Sequence, residues 1–276
     1  MHLTNHHNIP QPLCDVAQAG LDKPKDNLFR VTSLVGPPLA RYLTMKHWDE
    51  LEEDVSEKLY AILGSGVHSL LEQANSRNAI VEKRHNMLID GVRITGQSDS
   101  YFNNIIEDWK VTSVYSFIYG VKPEWEKQLN CYATLWEKNG YVVNGLSVHA
   151  ILRDWMKSKS YDSNYPDIPF ISYKIKLWDQ KKRIAYLEER LKAHKTSPVE
   201  CTEEEKWARP TTYAIMKKAR KSALRVLESA EKAEEYLEKF IKKEDQKKCS
   251  IVERKGVNVR CQEYCTVRKF CKYSGL

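Results

Sequence analysis

The segment Ile105–Val111 constrains this chain more than any other. Ile105, Ile106, Trp109 and Val111 read as a buried strand, yet Asp108 and Lys110 stand inside it. Alternation along a strand puts these two on the same face. A buried carboxylate or ammonium is expensive unless it is paired or holds a metal. The fold must therefore place this strand inside a sheet and give both charges a partner.

The surrounding pattern supplies the sheet. A helical repeat runs from Asp49 to Gln73, with Leu51, Val55, Leu59, Ile62, Leu63, Val67, Leu70 and Leu71 on one face. Strand-like pieces follow at Ile80–Arg84, Met87–Ile89 and Val92–Thr95, and Asp90-Gly91 is a strong hairpin turn. After Asn103-Asn104 comes Ile105–Val111, then a predicted helix over Glu124–Asn139 with Gly140 as its stop. A strand is predicted over Tyr141–Leu152. Helix, three strands, helix, strand is an α/β (α+β) core with a mostly antiparallel meander.

Beyond a Pro- and Asp-rich loop at Tyr161–Pro169 the chain reads as helical. Ile175–Ala193 carries Leu177, Ile184, Leu187 and Leu191 on one face. Thr202-Glu203-Glu204-Glu205 is a capping box, and Ala214–Lys243 is Ala-, Lys- and Glu-rich with recurring apolar residues. Residues 1–27, rich in Pro, Asn, His and Asp, are expected to be loose. The expected division is a loose segment 1–27, a core 28–172, and a helical extension with a cysteine-containing basic tail 173–276. There is no internal repeat.

Composition bounds the setting. With 42% hydrophobic and 29% charged residues the chain reads as soluble and globular. No apolar run approaches the roughly 18–20 residues a membrane span needs, so no membrane partner is expected. The first residues lack the basic-then-apolar order of a signal peptide. An odd number of cysteines, seven, does not suit a secreted disulfide framework; a cytoplasmic protein is expected. From Lys247 onward eight Lys/Arg face only Glu253 and Glu263, which leaves +6 of the net +7 there. Such a tail suits a polyanionic partner; the alternative is an ordinary solvated face.

Four motifs stand in order: Gly64-Ser65-Gly66-Val67-His68 near the end of the first helix, Gly96-Gln97-Ser98-Asp99 after the second strand, Asp108-Trp109-Lys110, and Gln128-Leu129-Asn130-Cys131-Tyr132 in the next helix. A hairpin brings Asp99 beside Asp108, and two convergent carboxylates make a hard oxygen site for Mg²⁺ or Mn²⁺. A neighbouring lysine orients water and offsets developing negative charge. Singly, each piece has a plainer reading: an Asp-x-Lys ion pair, a satisfied helix histidine, two helix neighbours at i, i+4.

Together they resemble the RecB-like branch of the PD-(D/E)XK nucleases, which includes CRISPR-adaptation, helicase-associated and phage exonucleases. The resemblance covers about Val31–Trp155. It implies a restriction-endonuclease-like core, a central mixed sheet flanked by helices, and a metal-dependent DNA nuclease. On that resemblance Asp99, Asp108 and Lys110 are catalytic. His68, Asp99, Asp108 and the Trp109 carbonyl hold metal, and Gln128 and Tyr132 position DNA. An exonuclease acting on single strands or DNA ends, in recombination, repair or phage DNA processing, is the implied activity. The alternative from another class is a non-cleaving DNA-binding or scaffold protein on the same fold.

Cys261, Cys265 and Cys271 cannot all pair locally as disulfides in a reducing cell, and thiolates at this density suit zinc or iron–sulfur. Many members of the resembled branch carry a four-cysteine iron–sulfur cluster with three ligands near the C-terminus. This chain departs from them in its first gap, where three residues rather than two separate Cys261 from Cys265. Cys201, just before the Thr202 cap, is the favoured fourth ligand; Cys14 is the runner-up, and Cys249 sits in a Lys-rich stretch. Free thiols without metal are the other reading. Cys131 is assigned to the core.

Overall fold

The computed structural model describes residues 1–74, 78–196 and 199–275. Two units separate, Met1–Val199 and Glu200–Leu276. The first opens with β1 (His2–Thr4), α1 (Gln11–Ala19), β2 (Leu28–Arg30), α2 (Val31–Val35), α3 (Pro38–Lys46) and β3 (Glu52–Asp54). β1 and β3 pair in parallel, and the Thr4 hydroxyl and His6 amide donate to Asp54 Oδ2. The N-terminal segment, expected to be loose, therefore contains a strand and a helix. Its composition conceals a three-residue strand that only a distant partner creates.

Asp54 also caps α4 (Val55–Gln73) by accepting from the Ser56 amide. The expected apolar stripe of α4 is only partly covered: Val55 is buried, whereas Leu59, Leu63 and Leu70 stay exposed.

β4 (Ile80–Val81), β5 (Arg84–Ile89), β6 (Val92–Gln97), β7 (Ser100–Phe102) and β8 (Ile105–Thr112) follow. The Asp90-Gly91 turn (φ 48° and 74°) and the Asn103-Asn104 turn (φ 49° and 62°) put both residues in the left-handed region. That geometry matches the twist of the strands a two-residue hairpin joins. The short α5 (Tyr115–Ile118) and then α6 (Pro123–Lys138) cross over to β9 (Gly145–Leu152), which lies parallel to β8. A parallel partner needs such a crossover.

β10 (Phe170–Ile175) closes a five-stranded sheet ordered β10-β9-β8-β7-β4, beside a three-stranded sheet β2-β6-β5. The core is thus a central mixed sheet flanked by helices, with β8 in its middle. Leu129 and Ala133 of α6, Val148 of β9, Ile94 of β6 and Ile106 of β8 have no exposed surface. Ile175, the expected start of a helix, instead ends β10; the helix α7 (Gln180–Lys195) begins after its Asp179 cap and buries Leu187 and Leu191.

The second unit contains α8 (Glu203–Lys206), β11 (Ala208–Arg209), β12 (Thr212–Lys217), β13 (Arg225–Leu227), α9 (Ala230–Phe240), β14 (Cys249–Arg254) and β15 (Val257–Asn258). The Thr202–Glu205 capping box is present. The expected helix over 214–243 is not one element: β12 is the centre of the sheet β13-β12-β14, and helix is confined to Ala230–Phe240 and the start of a short helix at Lys243–Gln246. Pairing on both sides buries Ala214 and Ile215 completely and overrides the helical composition. Among the described residues no helix is long and apolar enough to cross a membrane.

Candidate metal centre

The centre forms where two strand ladders pause. β4 and β7 pair through Val81 and Ser100, and β5 and β6 resume pairing at Arg84 and Gln97. Between them Glu82-Lys83 faces Ser98-Asp99. Glu82 holds φ 48°, a left-handed conformation uncommon outside glycine, and its amide donates to the Asp99 carbonyl at 3.1 Å. Gln97 donates its side-chain amide to Glu82 Oε2. Asp99 Oδ2 accepts the Trp109 amide of β8 at 2.6 Å, and Oδ1 lies 3.1 Å from His68 Nδ1 of α4.

One ligand atom each from His68, Glu82 and Asp99 thus gathers within 4.8 Å, which no other group of three His, Cys, Asp or Glu achieves among the described residues. The three line a cavity of about 320 Å³ shared with Glu107, Trp109 and His149. Glu82 carried no motif signal. Counting pairs back from the Asp90-Gly91 turn, however, sets it opposite Asp99, so the hairpin register could have found it.

Asp108 is not one of the three, nor does it line that cavity, but it lies within electrostatic reach of Asp99 and His68. Its side chain is 2% exposed, and Lys110 Nζ approaches its Oδ2 at 2.5 Å. That oxygen is buried without a hydrogen bond of good geometry, so charge alone holds it. Burial pushes the Asp108 carboxyl up from its ordinary value, with Lys110 opposing and Asp99 adding to the rise. Burial would lower Lys110, but attraction to Asp108 and Asp99 outweighs it and raises the ammonium. The hydrogen bond to Asp99 raises His68 against its own burial, and burial raises Glu82 against the Gln97 hydrogen bond. In the absence of a cation these side chains therefore hold protons readily.

α6 backs the site. Gln128 Nε2 donates to the Tyr132 hydroxyl at 2.9 Å. Burial, then the charges of Asp108 and Asp99, raise that phenol far above its ordinary range. Between them Asn130 is wholly buried and tied to the Glu126 and Lys176 carbonyls and the Trp178 amide, a structural rather than a chemical role. Cys131 is 1% exposed, within the core, and burial pushes its thiol up to about 12.

Gly96 explains itself here. A Cβ would stand 2.6 Å from Leu135 Cδ1 and 2.8 Å from the Tyr132 ring, so α6 can approach β6 only over a glycine. Gly96→Ala is expected to cost about 1–3 kcal/mol, the range for overpacking, and to loosen Tyr132. Chemical denaturation measures the first effect and Tyr132 side-chain mobility by NMR the second; wild-type stability in the variant would contradict the packing argument.

In the second unit, the capped α8 and the turn Arg260–Tyr264 bring the cysteines together. Arg260 Nη1 donates to the Glu205 carbonyl at 2.7 Å, and its guanidinium lies 4.0 Å from the centre of the Trp207 ring. Cys201 is pushed up to about 12 by burial, then by Glu205 and by Cys261, Cys271 and Cys265, all within electrostatic reach. Burial also raises Cys261 and Cys265. Cys14 belongs to the first unit, where its sulfur meets Asn5 Nδ2 at 3.4 Å and the Ile9 carbonyl at 3.5 Å.

No family model matches the chain, and no curated protein matches it. Among solved structures it is similar to a crystal structure of a protein designated SSO0001, at 18% identity over 71% of this chain and 87% of that one, with a TM-score of 0.48. It is also similar to a phage-related exonuclease from Haemophilus somnus 129PT, at 17% identity over 60% of this chain and 91% of that one, with a TM-score of 0.38.

Proposed function

We propose that this chain is a metal-dependent deoxyribonuclease of the RecB-like PD-(D/E)XK type, an exonuclease that hydrolyses phosphodiester bonds of single-stranded DNA or DNA ends. The observation that carries this reading is convergence: His68 of α4, Glu82 between β4 and β5, and Asp99 between β6 and β7 meet within electrostatic reach of the buried Asp108–Lys110 pair. Those four ligand side chains and the Trp109 carbonyl would hold Mg²⁺ or Mn²⁺, a hard, oxygen-rich set with one imidazole. The buried Asp108 Oδ2 without an aligned donor fits that role. When bound, the cation supplies Lewis acidity at the phosphoryl oxygen. Lys110 orients the attacking water and offsets the negative charge that develops. Gln128, with the Tyr132 hydroxyl behind it, holds the strand in line. End-labelled single-stranded DNA with Mn²⁺, with and without EDTA, tests the proposal. Intact DNA under both conditions would leave the non-cleaving scaffold reading instead.

The raised proton affinities set a pH dependence. His68 must lose its proton to act as a ligand, and its value lies above the ordinary 6.5. Below that raised value protons compete with the cation; as pH rises through it the competition ends. Mn²⁺ affinity is therefore expected to strengthen from pH ~6 to ~8, with at least about one proton released per cation near the lower end. Calorimetric titration in buffers of different ionisation enthalpy counts those protons. A pH-independent affinity without proton release would contradict the assignment of His68.

We assign Cys201, Cys261, Cys265 and Cys271 to a second, structural centre, a 4Fe–4S cluster of the kind the resembled branch carries, with zinc as the alternative. Arg260–Tyr264 forms a wide π-type turn, and that accommodates the third spacer residue between Cys261 and Cys265.

A further inference from the structure

The carboxyl ends of the parallel strands β8 and β9 carry a surface that the metal centre does not use. Tyr115 and Tyr119, one helical turn apart, stack with ring centroids 5.7 Å apart and planes 12° apart, yet are 57% and 78% exposed. The segment that carries them is fixed from below. Val114 is buried, and its amide and the Ser113 hydroxyl each donate to Asp154 at 2.6 Å. Tyr173 donates to the Ser116 carbonyl at 2.8 Å.

Cations stand at the same end of the sheet. Arg153 follows β9, its amide bonded to the Thr112 carbonyl at 2.9 Å, and its guanidinium lies 4.1 Å from the centre of the exposed Tyr60 ring. Lys122 precedes α6 and is lowered by desolvation against the pull of Glu124, with repulsion from Arg153 and Lys110 adding to the fall. Arg153 and Lys110 therefore both lie within electrostatic reach of Lys122, and Lys110 is the lysine of the proposed catalytic pair. Of the carboxylates near them, Asp154 is engaged by Ser113 and Val114.

From this juxtaposition we infer that Tyr115 and Tyr119 form a stacking platform for unpaired nucleobases, with Lys122, Arg153 and the Arg153-stacked Tyr60 guiding the same single strand past Lys110. Flat aromatic faces accept any base, and cations accept the phosphates between them. A duplex keeps its bases paired and offers the rings nothing, so the platform discriminates in favour of single strands. The inference rests on the nuclease reading for its choice of a nucleic acid.

Fluorescence anisotropy with labelled oligo-dT in Ca²⁺, alongside a blunt duplex, tests it apart from cleavage. Tyr115→Ala/Tyr119→Ala is expected to weaken oligo-dT binding by at least about tenfold, to leave duplex binding unchanged, and to be rescued by Tyr115→Phe/Tyr119→Phe. Lys122→Gln and Arg153→Gln are each expected to reduce the salt dependence of binding by about one counterion. Oligo-dT binding equal to wild type in the double alanine variant overturns the platform. So does a change in oligomeric state with DNA binding intact, which would make this surface a self-interface. Wild-type cleavage decides the nuclease reading independently: an inactive protein that still loses oligo-dT binding with the rings keeps the platform and loses the enzyme.

Discussion

Asp108→Ala is expected to reduce metal-dependent cleavage by at least about 10²-fold, and Lys110→Ala to do the same. The two residues share a strand face, and each is the other's nearest opposite charge. Burial makes Asp108 a reluctant carboxylate in the absence of a cation. Removing either partner leaves the other charge in a poorly solvated place, Asp108 at 2% and Lys110 at 23% side-chain exposure. The double variant Asp108→Ala/Lys110→Ala is therefore expected to be more stable than the sum of the single effects implies, by about 1–3 kcal/mol. Urea denaturation of all four proteins, with gel-based cleavage on the same samples, separates the two roles. Single variants that cleave at the wild-type rate would remove the pair from the chemistry. Strictly additive stabilities would mean that solvent, not the partner, already satisfies each charge.

The same pair shows what sequence can and cannot carry. Its shared face follows from the two-residue period of a strand, and its neighbours Ile106 and Val111 mark the interior. The Asn103-Asn104 turn forms the hairpin that brings Asp99 alongside, because asparagine tolerates the left-handed pair of conformations the turn needs. Local signals of this kind were legible. Glu82 was not, since an isolated glutamate becomes a candidate only when its cross-strand partner is counted. β12 was not either: Thr212–Lys217 lies next to Lys- and Ala-rich sequence, and only pairing with β13 and β14 makes it a strand. Tertiary partners override composition, and a window of sequence does not contain them. The cysteines fall between these cases. Their crowding was visible, but the approach of Cys201 to Cys261, Cys265 and Cys271 depends on Arg260 reaching the Glu205 carbonyl and the Trp207 ring.

Those cysteines carry the second large prediction. Among the described residues of Glu200–Leu276 the buried apolar side chains are Ala214, Ile215, Ala233 and Val267, all small or medium in size. So thin a core leaves a small unit marginal without a staple, and a bound metal group contributes folding free energy directly, on the order of 10 kcal/mol in small metal-stabilised domains. Single substitutions Cys201→Ser, Cys261→Ser, Cys265→Ser or Cys271→Ser are each expected to abolish bound iron and visible absorbance. They should also open the second unit to limited proteolysis between residues 200 and 276 while the first unit stays intact. Cys14→Ser and Cys249→Ser are expected to retain iron and protection, since neither belongs to the assigned set. Because the thiols of Cys201, Cys261 and Cys265 are raised by burial, they hold their protons in the metal-free state, and cluster assembly is expected to release protons and to proceed better as pH rises. Anaerobically purified protein with zinc in place of iron would correct the metal and keep the site. Metal-free protein whose second unit resists protease as well as its four-serine variant would remove the centre altogether, leaving the apolar side chains and the Arg260–Trp207 clamp as sufficient for the fold.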